Sequence, residues 1–217
     1  MPARCRLYLI TPAIVEPGAF ARTLGSALAG GGVACLQLRL GAASDGTSDD
    51  ASDDRVRRAA RALMPVAHAF DVAFLIDNNP RLAAELGADG VHLEGRDADP
   101  AGARRLLGPD RIVGIACGTS RHLAIEAAEA GADYVALDPD PDLIAWWSET
   151  MVVPAVAQGN IARGGIATGD VTLANVAALA AAGADFIAVG AGVWDHEAGP
   201  AAAIGEFNAA IAKVLAG

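Results

Sequence analysis

Gly183-Ala-Asp-Phe-Ile-Ala-Val-Gly-Ala-Gly-Val-Trp194 reads in order as a helix end, a strand and a glycine loop. Gly183 can take the left-handed conformation that stops a helix, and Phe186 to Val189 is a short apolar run suited to a strand covered on both faces. Gly190 and Gly192 leave the backbone amides around Ala191 unshielded. In a parallel α/β architecture those amides lie outside the carboxyl end of a late strand, where an anion such as phosphate can be held. Taken alone, the same glycines also describe a flexible turn.

The grammar of this stretch recurs. Gly87-Ala-Asp-Gly-Val-His-Leu93 and Gly131-Ala-Asp-Tyr-Val-Ala-Leu137 open in the same way, and Gly31-Gly-Val-Ala-Cys-Leu-Gln37 is a looser copy. From Gly87 to Gly131 is 44 residues and from Gly131 to Gly183 is 52, too long for one solenoid repeat but suited to two β-α units each. Four such pairs give eight strands, so the expected fold is a single-domain (β/α)8 TIM barrel over residues 1–217. The chain has 217 residues, and such barrels start at roughly 200.

Composition narrows the partners. A formal net charge of -10 argues against nucleic acid, whose phosphates are bound by clustered Lys and Arg. Of 16 basic residues 15 are Arg, and Lys213 is the single lysine, so Schiff-base chemistry from a barrel lysine is not expected. No apolar run approaches the ~18 residues of a membrane span. Leu7 to Val15 is interrupted by Thr11 and Pro12 and reads as the first strand, not a signal core; the expected compartment is the cytoplasm. Cys5, Cys35 and Cys117 show no metal or disulfide spacing and read as small buried apolar residues.

Along the chain, Val33 to Leu40 is the second strand. Period-two alternation puts Val33, Cys35, Gln37 and Arg39 on one face. The two polar residues either satisfy each other or a carboxylate inside the barrel, or face a ligand at the strand's carboxyl end. Residues 42–54 are polar and acidic and read as a surface loop whose Ser52 or Asp53 caps a helix starting at Arg55. After the third strand, Asp77-Asn78-Asn79-Pro80 offers either helix caps or a metal and substrate pair. Asp97 follows the fourth strand as Asp77 follows the third, and carboxylates at neighbouring strand mouths suit a magnesium on a diphosphate. His92, inside the fourth strand, reads as a hydrogen-bonded core residue. The seventh strand is expected over Val152–Ala157, then a helix over Val171–Ala182, and a closing helix with Phe207, Ile211 and Leu215 inward.

Together these motifs resemble the thiamine-phosphate synthase family, from Leu7-Tyr-Leu-Ile-Thr11 to Trp194. The resemblance implies a (β/α)8 barrel that joins hydroxymethylpyrimidine diphosphate to hydroxyethylthiazole phosphate, releasing diphosphate with Mg2+. Gln37-Leu-Arg39 is similar to the start of the family's Q-L-R-E-K motif, which implies Gln37 on the pyrimidine and Arg39 on the diphosphate. Gly87 to Leu93 matches G-A-D-G-V-H-L. Asp77-Asn78 resembles the family's N-D pair inverted, implying that both contact substrate, Asn78 beside Arg39 in a catalytic role. Asp97, with Asp77, is implied to ligate magnesium. Gly159 and the loop Gly190-Ala191-Gly192 fall where the family holds the thiazole phosphate. The implied partners are thus small phosphorylated ligands.

Departures from the family pattern set a second expectation. Gly41 stands at the motif's lysine, Ala116 at the serine after strand five, and Asp138-Pro-Asp-Pro-Asp142 at the threonine-rich loop after strand six. Asn160 replaces a glycine after strand seven, and Gly118 stands where the related thiazole tautomerase has histidine. The expected protein is therefore a synthase of weak or altered turnover, with a non-catalytic phosphate-binding barrel as the alternative. Arg96 and Arg163 are the candidates to replace the lost cations.

Overall fold

A computed structural model describes residues 5–41, 49–94, 98–159 and 170–216. The short apolar runs become β1 (Arg6–Ile10), β2 (Val33–Leu38), β3 (Ala73–Asp77), β4 (Gly90–Leu93), β5 (Ile112–Gly118), β6 (Tyr134–Leu137), β7 (Ala155–Ala157) and β8 (Phe186–Val189). They pair in sequence order, all parallel, and β8 closes onto β1, which is the eightfold barrel expected from the repeats. The intervening helices are α1 (Pro17–Leu28), α2 (Asp49–His68), α3 (Pro80–Leu86), α4 (Pro100–Leu107), α5 (Arg121–Glu129), α6 (Pro141–Thr150), α7 (Val176–Ala181), α8 (Ala191–Trp194) and α9 (Pro200–Leu215). Among the described residues no helix is long and apolar enough to cross a membrane.

The recurring Gly-Ala-Asp has a structural reason. Gly87, Gly131 and Gly183 take φ of 70°, 88° and 96°, which turns the chain out of the preceding helix. The alanine that follows is buried. Each aspartate then grips one residue of the neighbouring odd strand twice. Asp89 donates its N–H to the Phe74 carbonyl at 2.9 Å and accepts the Phe74 N–H on Oδ2 at 2.7 Å. Asp133 does the same to Val113, and Asp185 to Ala155. Three strand pairs are thereby locked in register at their amino ends.

Register decides which side chains fill the barrel. Tyr8, Ile10, Cys35, Leu75, Tyr134, Ala136, Val156 and Ala188 form the inner cluster. Leu7, Leu9, Leu36, Leu38, Phe74 and Ile76 join the larger outer core beneath the helices. The three cysteines are free and buried, as their composition predicts. Helix starts follow local chemistry: α1, α3, α4, α6 and α9 begin at proline, and Glu16, Asn79, Asp99 and Asp140 cap four of them with side-chain oxygens.

Several expectations need correction. Val33 does not share the inner face with Cys35, because the register with β1 shifts between Leu7 and Tyr8, and Val33 lies in the outer core. The strand ends at Leu38, not Leu40, since the Thr11 hydroxyl takes over pairing with the Arg39 N–H and carbonyl, both at 3.0 Å. The acidic 42–54 stretch is not all loop: α2 begins at Asp49, and 42–48 lie outside the described residues. Asp53 sits a turn inside that helix, pairing with Arg57 and Arg81 and accepting from Asn79, so it ties α2 to α3 and caps nothing. Strand β7 starts only after Pro154, leaving Val152 fully exposed. A turn built on Thr172 and Asn175 delays α7 to Val176. Leu215 is 40% exposed, whereas Phe207 and Ile211 are buried.

Removing the Asp185 carboxylate leaves the wholly buried Ala155 with an unpaired N–H. Urea unfolding of Asp185→Ala is expected to show a loss of roughly 1.5–3 kcal/mol. By contrast Gly205 lies mid-helix on the exposed face of α9 with open space around its Cα, so Gly205→Ala should stabilise by about 0.4–1 kcal/mol.

Candidate functional site

Parallel strands bring all their carboxyl ends to one rim. Gln37 and Arg39 stand there at β2, Asp77 and Asn78 at β3, Glu94 at β4, Asp138 at β6, Gln158 and Gly159 at β7, and Gly190, Ala191 and Gly192 at β8. The residues named from sequence and described here therefore share one end of the barrel. Asp97, Arg96, Arg163 and Asn160 lie outside the described residues. Lys213 does not reach this rim: it is in the last turn of α9, which runs back past Gly31 at the opposite end, where Asn208 donates to the Gly31 carbonyl at 2.9 Å.

Below the rim a hydrogen-bonded row crosses the barrel. Gln37, fully buried, donates from Nε2 to Asp77 Oδ1 at 2.6 Å and accepts the Tyr8 hydroxyl on Oε1 at 3.1 Å. The Tyr8 and Tyr134 oxygens are 3.0 Å apart, and Tyr134 meets His92 Nδ1 at 2.7 Å. Room for the Tyr134 ring comes from Gly114 on the adjacent strand, where a Cβ would lie 1.9 Å from the ring. His92 is thus a hydrogen-bonded core residue, as its place inside a strand suggested. Burial first, and Arg39 second, push its pKa down to about 3, so it is neutral. Burial likewise raises both tyrosines well above their ordinary value, which keeps the hydroxyls protonated.

Arg39 pairs with Glu94, Nη2 to Oε1 at 3.3 Å, with both side chains largely covered. Asn78 adopts φ 49°; its N–H donates to the His92 carbonyl at 2.7 Å and its Oδ1 accepts the Glu94 N–H at 3.2 Å. The helix cap is Asn79, through its Oδ1 to the Leu82 N–H, so capping accounts for neither Asp77 nor Asn78. Asn78 and Glu94 also line a cleft of about 680 Å³ with Pro80, Leu93 and Asp99.

The glycine loop after β8 is a short helix, α8, with Gly190 as its leading residue. It is tied down by Trp194, whose Nε1–H donates to the Ile10 carbonyl at 2.6 Å and whose ring meets Phe20 edge-on. A Cβ at Gly190 or Gly192 would find only ordinary contacts, so packing does not demand glycine at either place. Of the three aspartates after β6, Asp140 caps α6 and Asp142 lies exposed in its first turn. Asp138 stays at the strand end, and burial, then Asp140, raise its pKa. Among the described residues no group of three or more His, Cys, Asp or Glu is arranged to hold a metal. Of the two carboxylates that the resemblance implies for magnesium, Asp77 lies among the described residues and Asp97 does not; the ion commonly takes only one or two carboxylates besides phosphate and water.

Sequence reading missed Tyr8, Glu94 and Gln158. Tyr8 had a signal, a polar aromatic alternating with Leu7 and Leu9. Gln158 is 7% exposed, and its Oε1 has no hydrogen-bond partner among the described residues.

The family profile described as thiamine monophosphate synthase matches residues 7–193. A thiamine-phosphate synthase of Rhodospirillum centenum is 48% identical over 217 aligned positions, covering 94% of this chain and 96% of that protein. One from Hyphomonas neptunium is 43% identical, covering 95% and 93%. Among solved structures, the thiamine phosphate pyrophosphorylase from Pyrococcus furiosus superposes with a TM-score of 0.77 at 23% identity, covering 98% of both chains; that likeness concerns the fold.

The buried imidazole gives stability a pH dependence of definite sign. Its folded pKa of about 3 lies below the ordinary 6.5, so between these values the unfolded chain binds the extra proton. Stability is then fully present above about pH 6.5 and falls on acidification, by up to ~1.4 kcal/mol per pH unit. Urea unfolding between about pH 5 and 6.5 should show His92→Leu losing that slope relative to the parent, the common carboxylate contributions cancelling.

Proposed function

The chain belongs to the thiamine monophosphate synthase family, and on that premise we propose that it joins hydroxymethylpyrimidine diphosphate to hydroxyethylthiazole phosphate, releasing diphosphate, in thiamine biosynthesis. The observation that carries the reading is the 48% identity to a thiamine-phosphate synthase across 94% of the chain.

In this reaction the bond from the pyrimidine methylene to the diphosphate oxygen breaks, and the thiazole nitrogen forms the new bond to that carbon. The electron pair leaves with the diphosphate. Groups that stabilise the transition state are those already aimed at the developing negative charge. Arg39 has this role in our reading, with Asn78 beside it. Gln37 meets the pyrimidine ring, and the backbone at Gly159 and at Gly190, Ala191 and Gly192 receives the thiazole phosphate. Magnesium, when bound, would neutralise diphosphate charge, with Asp77 and Asp97 as the carboxylates that hold it. The ligands are small phosphorylated molecules, and the place of work is the cytoplasm.

Two features bear on rate. Arg39 shares its charge with Glu94, and no lysine stands near the rim. Asp138 adds a carboxylate at the end of β6. Loss of one preorganised charge partner costs roughly 3 kcal/mol, about a hundredfold in rate.

Steady-state turnover of the two precursors is therefore expected below ~1 per second and to vanish when magnesium is chelated. Arg39→Gln should lower kcat by roughly a further hundredfold, with Gly205→Ala unchanged. Turnover at ~1 per second or above would overturn the slow-enzyme reading. Phosphate-ligand binding without any product would favour the non-catalytic barrel.

A further inference from the structure

The row of polar groups inside the barrel admits one arrangement of protons. A carboxylate only accepts, so the amide nitrogen of Gln37 faces Asp77 and its oxygen faces Tyr8. The Tyr8 proton is thereby committed to Gln37. The contact between the two tyrosines then needs its proton from Tyr134, and the contact of Tyr134 with the imidazole needs its proton from His92 Nδ1. Any other assignment sets two lone pairs against each other at 3.1 Å or less in a buried site. The far nitrogen, Nε2, has no hydrogen-bond partner among the described residues. A bare lone pair there costs less than a buried N–H without an acceptor.

We propose that His92, Tyr134 and Tyr8 are positioning residues, which pass hydrogen bonds one way, from His92 Nδ1–H through the Tyr134 and Tyr8 hydroxyls to Gln37 Oε1. Held so, Gln37 cannot flip its amide: its nitrogen would meet a hydroxyl already donating towards it, and its oxygen would meet the Asp77 carboxylate. The row therefore fixes which atom of Gln37 reaches Asp77, and it steadies that carboxylate at the end of β3. Bonds in such a chain polarise one another in the same sense, so breaking one link weakens the next. The functional consequence rests on the reading above, in which Gln37 meets the pyrimidine.

Because Gln37 would bind the ring equally in the ground and transition states, a loosened amide raises KM more than it lowers kcat. Tyr8→Phe and His92→Leu are each expected to raise KM for hydroxymethylpyrimidine diphosphate about tenfold, with kcat within about threefold. His92→Asn puts an amide N–H where Nδ1–H stands and should restore KM to within about threefold of the parent. Equal KM in His92→Leu and the parent, or no rescue by His92→Asn, would overturn the proposal. The proton order is also read without any turnover, from the 15N spectrum of the unliganded full chain at neutral pH. A protonated Nδ1 and a bare Nε2 are expected, and the opposite tautomer would overturn the chain of bonds. A parent protein that makes no product contradicts the synthase reading alone, since the spectrum still decides the proton order.

Discussion

The double grip of an aspartate on one residue of the neighbouring strand is the interaction on which the rest depends. Asp89, Asp133 and Asp185 each exchange two hydrogen bonds with Phe74, Val113 and Ala155. Side chains of a strand alternate between faces, so a slip of one residue would send every inward group outward. The grip prevents that slip in three of the strand pairs. It also explains why the motif recurs at intervals of two β-α units, since each aspartate serves the strand that precedes its own. With register fixed, Leu75, Tyr134, Val156 and Ala188 must face inward, and the polar groups among them must satisfy one another.

Much of this was legible in the sequence, for a physical reason. Gly-Ala-Asp and proline helix starts are local, because a left-handed turn and a capping side chain are decided within a few residues. The strand count and the barrel followed from them, and with all strands parallel so did a common rim for Gln37, Arg39, Asp77, Gly159 and Gly190; Asp97, expected at the same rim, lies outside the described residues. Other features depend on partners far along the chain. Tyr8 and Tyr134 are 126 residues apart, and neither residue alone announces the contact. The bulge beside Ala34, which moves Val33 to the outer face, comes from the register with β1 and leaves no composition signal. Asp53, an apparent cap in the sequence, finds Arg57, Asn79 and Arg81 and so becomes a bridge between helices.

The rim is electrostatically uneven for the diphosphate ester that we propose it receives. Its matched cation, Arg39, is paired with Glu94, and the chain as a whole carries a formal charge of -10. Burial first, and the neighbouring Asp140 second, raise the pKa of Asp138 at the end of β6. A divalent cation arriving with the substrate would offset this acidity, which is the physical link between the composition of the protein and its assigned reaction.

That link is tested most directly by calorimetric titration of the full chain with hydroxymethylpyrimidine diphosphate, with and without magnesium, in the parent and in Arg39→Gln. The account predicts binding to the parent that tightens when magnesium is present and weakens by about tenfold or more in the variant. Binding that is indifferent to both magnesium and Arg39 would contradict it.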